Sequence, residues 1–362
     1  HRCVTIGPGR PSLWEAMGAA KLGCGEPRLA GEAFSRALSF SREPRLLLLH
    51  GQALMEQGLW EPALDSFREA EAGLPPGEGE PALRGIVECL LRLGRSNEAA
   101  LRMIDPQSTE IEEVFSRSAA LHMLGRKEEA VAGYRRVLAA SPGHEGASFL
   151  LSALDGSGSA AAPHGYLRSL FQGYAPHYDM HYRGILHSRS VPEAAVMLRS
   201  DGSSFGTVVD VGCGTGLMGE ALQGGFSRLL GIDLSSAMLG QARLKGCYDS
   251  LVEGDFMEWG PEGCDTVCAI EVLNYFGDLL PPLERFSSWM PPDGRLVFTI
   301  EKGPEPWSLK TTGRFSHGLA HVRGRAKQAG FRVEDCKETP LRREGEGWVE
   351  GACFLLRKSG SP

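Results

Sequence analysis

The stretch Thr207-Val208-Val209-Asp210-Val211-Gly212-Cys213-Gly214-Thr215-Gly216 constrains this chain more than any other. Val208, Val209 and Val211 predict a short buried strand. It runs into glycines at 212, 214 and 216, after which Leu217, Met218, Ala221 and Leu222 fall on one helical face. Strand, glycine turn and helix build a nucleotide-binding crevice, because glycine lets the backbone approach a ligand that a side chain would block. The unsatisfied N–H groups of the helix N-terminus favour negative charge beside them. The glycine pattern alone fits any site of this architecture, or a plain tight turn.

The residues that follow narrow it. Leu229-Leu230-Gly231-Ile232-Asp233 predicts a second strand ending in an acid, suited to accept hydrogen bonds from both hydroxyls of a ribose. Leu234-Ser235-Ser236-Ala237-Met238-Leu239 then opens a helix. A third strand ends at Glu253-Gly254-Asp255-Phe256, which offers a second acid for an adenine amino group. The order DVGCGTG, GIDLSSAML, EGDF resembles the first three motifs of class I S-adenosylmethionine (SAM)-dependent methyltransferases. The resemblance implies a Rossmann-like α/β domain over residues 165–358, a seven-stranded, mostly parallel sheet with helices on both faces. It implies SAM as cofactor, held by Asp210, Gly212, Cys213, Gly214, Gly216, Asp233, Leu234, Met238, Asp255 and Phe256. The Asp233-Leu234-Ser235 block and the acid at 255 disfavour a nicotinamide oxidoreductase.

With 362 residues the chain is too long for one ordinary domain and comfortable for two. A net charge of -7 gives no electrostatic reason to expect nucleic acid. No apolar run approaches a membrane span; Leu46 to Leu49 is far too short. The nine cysteines show no zinc spacing, so no metal is expected. Their odd number and scatter, without a visible secretory signal, point to reduced thiols and a cytosolic setting.

The N-terminal part repeats. Gly25, Gly58, Gly94 and Gly125 each precede an alanine by five residues (Ala30, Ala63, Ala99, Ala130), with Phe34, Phe67, Met103 and Tyr134 four further on. Glycine ends the first helix of a pair, alanine admits the second closely, and the large residue fills the gap between pairs. Gln57 to Phe67 and Leu124 to Tyr134 resemble the second half of a tetratricopeptide repeat. Residues 10–152 are therefore expected to form an all-α solenoid of about four repeats; a repeat-free bundle is the alternative. The resemblance implies a protein or peptide partner, or self-association, through this domain. Asp155 to Pro163 is small and glycine-rich, predicting a flexible linker over 153–164.

Leu170 to Tyr182 is dense in aromatics. Tyr174 and Tyr178 suit a cap over the cofactor, a ring face attracting the sulfonium cation; the plainer reading staples a helix to the domain. The segment resembles one found in bacterial tetratricopeptide-containing methyltransferases and in a vertebrate methyltransferase-like family without repeats. Arg189 falls near an arginine of that pattern.

Asp265 to Ile270 predicts a fourth strand whose carboxyl end delivers Glu271, Asn274 and Tyr275 to the crevice. The family usually carries Asp where Glu271 sits, so Glu271 is assigned to both cofactor and catalysis, with Asn274 and Tyr275 for substrate. Pro281 to Met290 predicts an amphipathic helix, and Arg295 to Ile300 a fifth strand. Gly313-Arg314-Phe315-Ser316-His317 resembles an Arg-Tyr-x-His segment of the bacterial members, in a loop beside the substrate opening. Arg314 is thus expected at the substrate. His317 is expected either as a general base or as a surface histidine capping the next helix. Phe331 to Val333 and Ala352 to Leu356 predict a final antiparallel pair. Arg342 and Arg343 between them read as a solvated hairpin tip, or as contacts to an acidic substrate.

Together these features predict methyl transfer from SAM to a small-molecule or protein acceptor, with His317, Tyr178 and Glu271 as catalytic candidates. The alternative is an assembly protein that binds SAM without turnover.

Overall fold

A computed structural model describes residues 11–200, 202–345 and 347–360. The chain divides into two compact units, residues 1–136 and 137–362.

The first unit is all helical. Pro11–Gly23 pairs with Pro27–Leu38, Pro44–Glu56 with Trp60–Gly73, and Glu80–Arg92 with Ser96–Met103; Ile111–Met123 is followed by Lys127–Ala140. The turn glycines 25, 58, 94 and 125 all have φ between 71° and 76°, a conformation that L side chains avoid. Ala30, Ala63, Ala99 and Ala130 are buried, as are Phe34, Phe67 and Tyr134. A Cβ on Gly51 or Gly85 would lie 2.9 or 2.7 Å from the Phe67 ring, so both glycines admit that ring to the core. Met103 departs from the expected filling role. Its helix is only eight residues long, and the side chain is 69% exposed.

The second unit is built on a mixed sheet of nine strands. β1 (Thr207–Val211), β2 (Arg228–Asp233), β3 (Ser250–Glu253), β4 (Thr266–Ala269) and β5 (Arg295–Lys302) run parallel in the order β3-β2-β1-β4-β5. β6 (Trp307–Leu309) and β7 (Phe315–His317) form a short antiparallel hairpin, and β7 pairs in parallel with the end of β5. β8 (Phe331–Glu344) and β9 (Gly347–Lys358) are antiparallel, and β9 also pairs with β5. The expected seven strands are thus joined by two more in a segment that reads as loop. Gly313 at φ 76° closes that hairpin, and Trp307 packs edge-on to Phe315 at 5.5 Å.

Strand alternation divides the core. Val209, Val211, Ile232, Val267, Leu296 and Phe298 bury one face against the helices Leu280–Trp289 and Leu319–Gln328. Val208, Leu229, Cys268, Val297 and Leu355 bury the other against Ser190–Arg199 and Leu217–Leu222. Strand order reverses between β1 and β4, which opens a crevice at the carboxyl ends of the strands.

Candidate active site

The crevice holds a cavity of about 100 Å³ that opens to solvent. Gly212, Gly214, Ile232, Asp233, Leu234, Met238, Gly254, Asp255, Phe256, Glu271 and Tyr275 line its floor and walls, with His164, Phe171 and Tyr178 among the residues closing it. Gly212 has φ 59°, and a Cβ there would stand 2.5 Å from Cγ2 of Val272, so only glycine keeps this wall open. The Asp233 carboxylate accepts from the N–H groups of Gly214 and Ser235, each at 2.9 Å, which fixes it at the end of β2. Burial pushes its pKa up, and these bonds act against the shift. A carboxylate has about four acceptor positions, so further donors can be taken. Ser235 caps the helix Ser236–Lys245 by accepting from the Met238 N–H at 3.3 Å. Asp255 accepts from the Met257 N–H at 2.8 Å and lies 3.2 Å from His164 Nδ1.

A smaller hollow continues past Tyr178 and Glu271 to Asp210, Cys213 and Thr215. Asp210 accepts from the Tyr248 hydroxyl at 2.6 Å, and burial raises its pKa to about 7. Burial likewise pushes the Cys213 thiol well up, which leaves it a packing group.

The aromatic segment covers this end. Tyr178 stacks on Tyr182 at 5.8 Å and meets Tyr174 edge-on at 5.4 Å, so Tyr178 lines the crevice with Tyr174 packed against it. Three side chains, Arg168, Gln172 and Asp179, hold the segment down. Asp179 accepts from Thr215 Oγ1 in the glycine loop and from Lys245 Nζ at 2.7 Å. Gln172 Oε1 accepts from Ser235 Oγ at 3.1 Å, and Arg168 Nε donates to the Leu234 carbonyl at 3.3 Å. The far end of the segment read as a linker is bonded as well. Ala162 N–H donates to Tyr275 O at 2.9 Å, and Gly277 N–H to Ala160 O at 2.8 Å.

Glu271 stands at φ 59°, strained for a residue with a side chain, and its neighbours over-determine it. Its N–H donates to Thr299 Oγ1 at 2.9 Å. Its carboxylate accepts from Ser190 Oγ at 2.6 Å, Arg342 Nη1 at 2.7 Å and Asn274 Nδ2 at 3.3 Å. Arg342 also pairs with Glu301, which is 1% exposed and accepts from Lys310 Nζ at 2.8 Å. Burial alone would raise the Glu301 pKa; Arg342, Arg314 and Lys310 outweigh it and hold the group at about 2. Arg314 hydrogen-bonds Tyr275, and Nη1 lies 3.8 Å from Glu301.

Two expectations about charge are corrected here. Arg342 is not at a solvated tip but 3% exposed, because two carboxylates from β5 and the β4 end require a buried counter-ion. His317 is not at a surface and does not line the crevice. It is fully buried, with Nε2 donating to the carbonyls of Phe276 at 2.8 Å and Gly277 at 3.1 Å. Burial lowers its pKa to about 4, so it positions the 276–277 backbone rather than accepting a proton near neutrality. Arg189 likewise lies over the Trp348 ring, at 4.6 Å. Asn274 is buried behind Glu271, and Gly216, at φ 87°, starts the helix Leu217–Leu222 without lining the crevice. Ser190, Asp179, Gln172 and the Glu301–Arg342 pair escaped sequence reasoning. Their partners lie tens of residues away, and no local pattern marks them.

Residues 209–298 match the model of a methyltransferase domain family. A ubiquinone biosynthesis O-methyltransferase of Stutzerimonas stutzeri is 29% identical over 115 residues, which are 29% of this chain and 49% of that protein. A dTDP-3-amino-3,6-dideoxy-alpha-D-glucopyranose N,N-dimethyltransferase of Streptomyces fradiae is 28% identical over 137 residues, 36% of this chain and 51% of that protein. The chain spans about half the length of these curated relatives. Among solved structures, magnesium protoporphyrin IX methyltransferase of Synechocystis PCC 6803 with bound SAM aligns at a TM-score of 0.45 and 20% identity, covering 56% of this chain and 100% of that one. The strand ends and glycine turn that form the crevice floor thus lie within the stretch that matches the methyltransferase domain model.

Proposed function

We propose that the protein is a SAM-dependent methyltransferase acting on a small-molecule or protein acceptor. The observation that carries this reading is the convergence of Gly212, Asp233 and Asp255 on one crevice, from the ends of three neighbouring parallel strands. The residues fit the cofactor: an open glycine wall for close approach, one carboxylate for ribose hydroxyls and another for an adenine amino group. Leu234, Met238 and Phe256 supply apolar walls for the base. When bound, SAM supplies a methyl group already activated on a sulfonium. Tyr178 would offer its ring to that cation, and Glu271 lines the same crevice where an acceptor would enter. The protein's work is then alignment and exclusion of water, worth on the order of 7 kcal/mol or more when geometry is good.

The relatives' O- and N-methylations support a small-molecule acceptor, and the crevice walls of Phe171, Tyr178 and Tyr275 suit an apolar one. The regular helix pairs of the first unit support the tetratricopeptide reading and a docking or self-association role for it. The free thiols among the described residues support a cytosolic setting.

Calorimetric titration with SAM and with S-adenosylhomocysteine tests the proposal. Saturable binding by the wild type, lost in Asp233→Ala, is expected. Absence of wild-type binding overturns it. Binding without transfer from labelled SAM to any offered acceptor favours the silent assembly protein.

A further inference from the structure

The turn Lys310–Arg314, between β6 and β7, is not used by the cofactor reading. It closes on itself: Lys310 N–H donates to Arg314 O at 2.8 Å, and Gly313 N–H to Lys310 O at 3.0 Å. β7 pairs with the end of β5 at Glu301, so the turn lies at the carboxyl edge of the sheet, on the same side as the crevice. Arg314 reaches Tyr275, a crevice wall.

The charges do not balance. Three cations, Arg342, Lys310 and Arg314, face two carboxylates, Glu271 and Glu301. Arg342 is 4% exposed and is within ion-pair distance of both acids, whereas Lys310 and Arg314 are 34% and 28% exposed and are within that distance of Glu301. The 3.8 Å from Arg314 to Glu301 exceeds hydrogen-bond length, so that pairing leaves guanidinium donors for other partners, of which Tyr275 on the crevice wall is one. Thr312 Oγ1 in the same turn and His181 Nδ1 are both buried without a hydrogen-bond partner. Excess positive charge in a half-buried site is stabilised by an anion, and a planar carboxylate matches the fork.

We propose that Arg314 and Lys310 form an oxyanion subsite that holds the methyl acceptor by a carboxylate group. The proposal rests on the methyltransferase reading, and it deepens that reading by naming the acceptor class as an acid. Because Arg314 meets the crevice at Tyr275, and Phe171 and Tyr178 line the same crevice, the acid has an apolar or aromatic body.

The test uses the full chain, with and without saturating S-adenosylhomocysteine, titrated by NMR with sodium benzoate and with neutral benzamide. A second arm uses the peptide acetyl-Ala-Ala-Glu-Ala-amide and its Gln counterpart. Benzoate is expected to bind at least tenfold more tightly than benzamide. That preference is expected to fall at least fivefold in Arg314→Gln and in Lys310→Gln, with product affinity unchanged within twofold. If the Arg314 variant does not fold, the more exposed Lys310 variant carries the comparison. Glu-over-Gln selectivity in the peptide arm alone assigns the carboxylate to a protein acceptor; selectivity for benzoate assigns it to a small molecule. Equal binding of acid and amide in both arms, or selectivity untouched by both variants, overturns the subsite. Loss of product binding in the wild type overturns the cofactor reading instead, and the titration without product still reports on the turn.

Discussion

Replacing Arg342 by Met removes the counter-ion of a carboxylate that is 1% exposed while keeping an unbranched apolar chain of similar reach. Glu301 falls from an unfolded value near 4.3 to about 2 in the folded protein, a difference worth about 3 kcal/mol. Breaking a buried ion pair from one side costs about 3–5 kcal/mol, so the two routes agree. The expected loss lies at about 3, because Lys310 at 2.8 Å and the more distant Arg314 still face Glu301. The sign follows from a depressed carboxylate pKa. Its stabilisation is fully present above the unfolded value and disappears as pH falls through about 2. The wild-type advantage of about 3 kcal/mol at pH 7 therefore narrows to about 1.4 at pH 3. The assay is hydrogen exchange along a urea series, read on peptides covering Arg295–Lys302, which isolates the second unit from unfolding of the first. A loss below about 1 kcal/mol at pH 7, or one that does not shrink on acidification, refutes the account of Arg342 as a required counter-ion.

Gly212→Ala places a Cβ 2.5 Å from Val272 Cγ2 at a φ of 59°, on the crevice wall. It is expected to weaken SAM binding by at least tenfold in calorimetry while the circular dichroism spectrum stays native. His317 is buried neutral with a pKa of about 4, against about 6.5 unfolded. The unfolded chain binds that proton first, so wild-type stability falls by about 2 kcal/mol between pH 7.5 and pH 5 from this group alone. His317→Gln, which keeps a donor for the Phe276 and Gly277 carbonyls, is expected to flatten that slope in urea unfolding. An unchanged slope counts against the burial of a neutral imidazole.

The parallel core was legible because each element carries its own local signal. Val208 to Val211, the glycines at 212, 214 and 216, and the acids closing β2 and β3 state strand, turn and ligand contact within a few residues. The helix pairs were legible for the same reason: glycine at the turn, alanine at the crossing, an aromatic in the gap. Prediction failed where a residue's role is set by a distant partner. Arg342 and Glu271 are 71 residues apart, and a pair of arginines between two strands gives no sign that one turns inward. His317 shows the same limit in reverse. A histidine in a loop beside a substrate opening reads as a base, yet the loop is a strand, and its pairing with β5 carries the imidazole into the core.

That inward turn of His317 also bears on what the crevice can do. His317 grips the carbonyls of Phe276 and Gly277, while Gly277 and Tyr275 are bonded from the other side to Ala160 and Ala162. Tyr275 is thus held between a buried strand and the segment entering from residue 156 onward, and it is Tyr275 that joins the crevice to Arg314. The wall of Glu271 and Tyr275 is held by hydrogen bonds: Glu271 accepts from Ser190 and Arg342, and Tyr275 is bonded through its backbone to Ala162. The glycine-turn end is covered differently, by side-chain contacts of Gln172 and Asp179 from one short aromatic segment, Asp179 to Thr215 and Gln172 to Ser235.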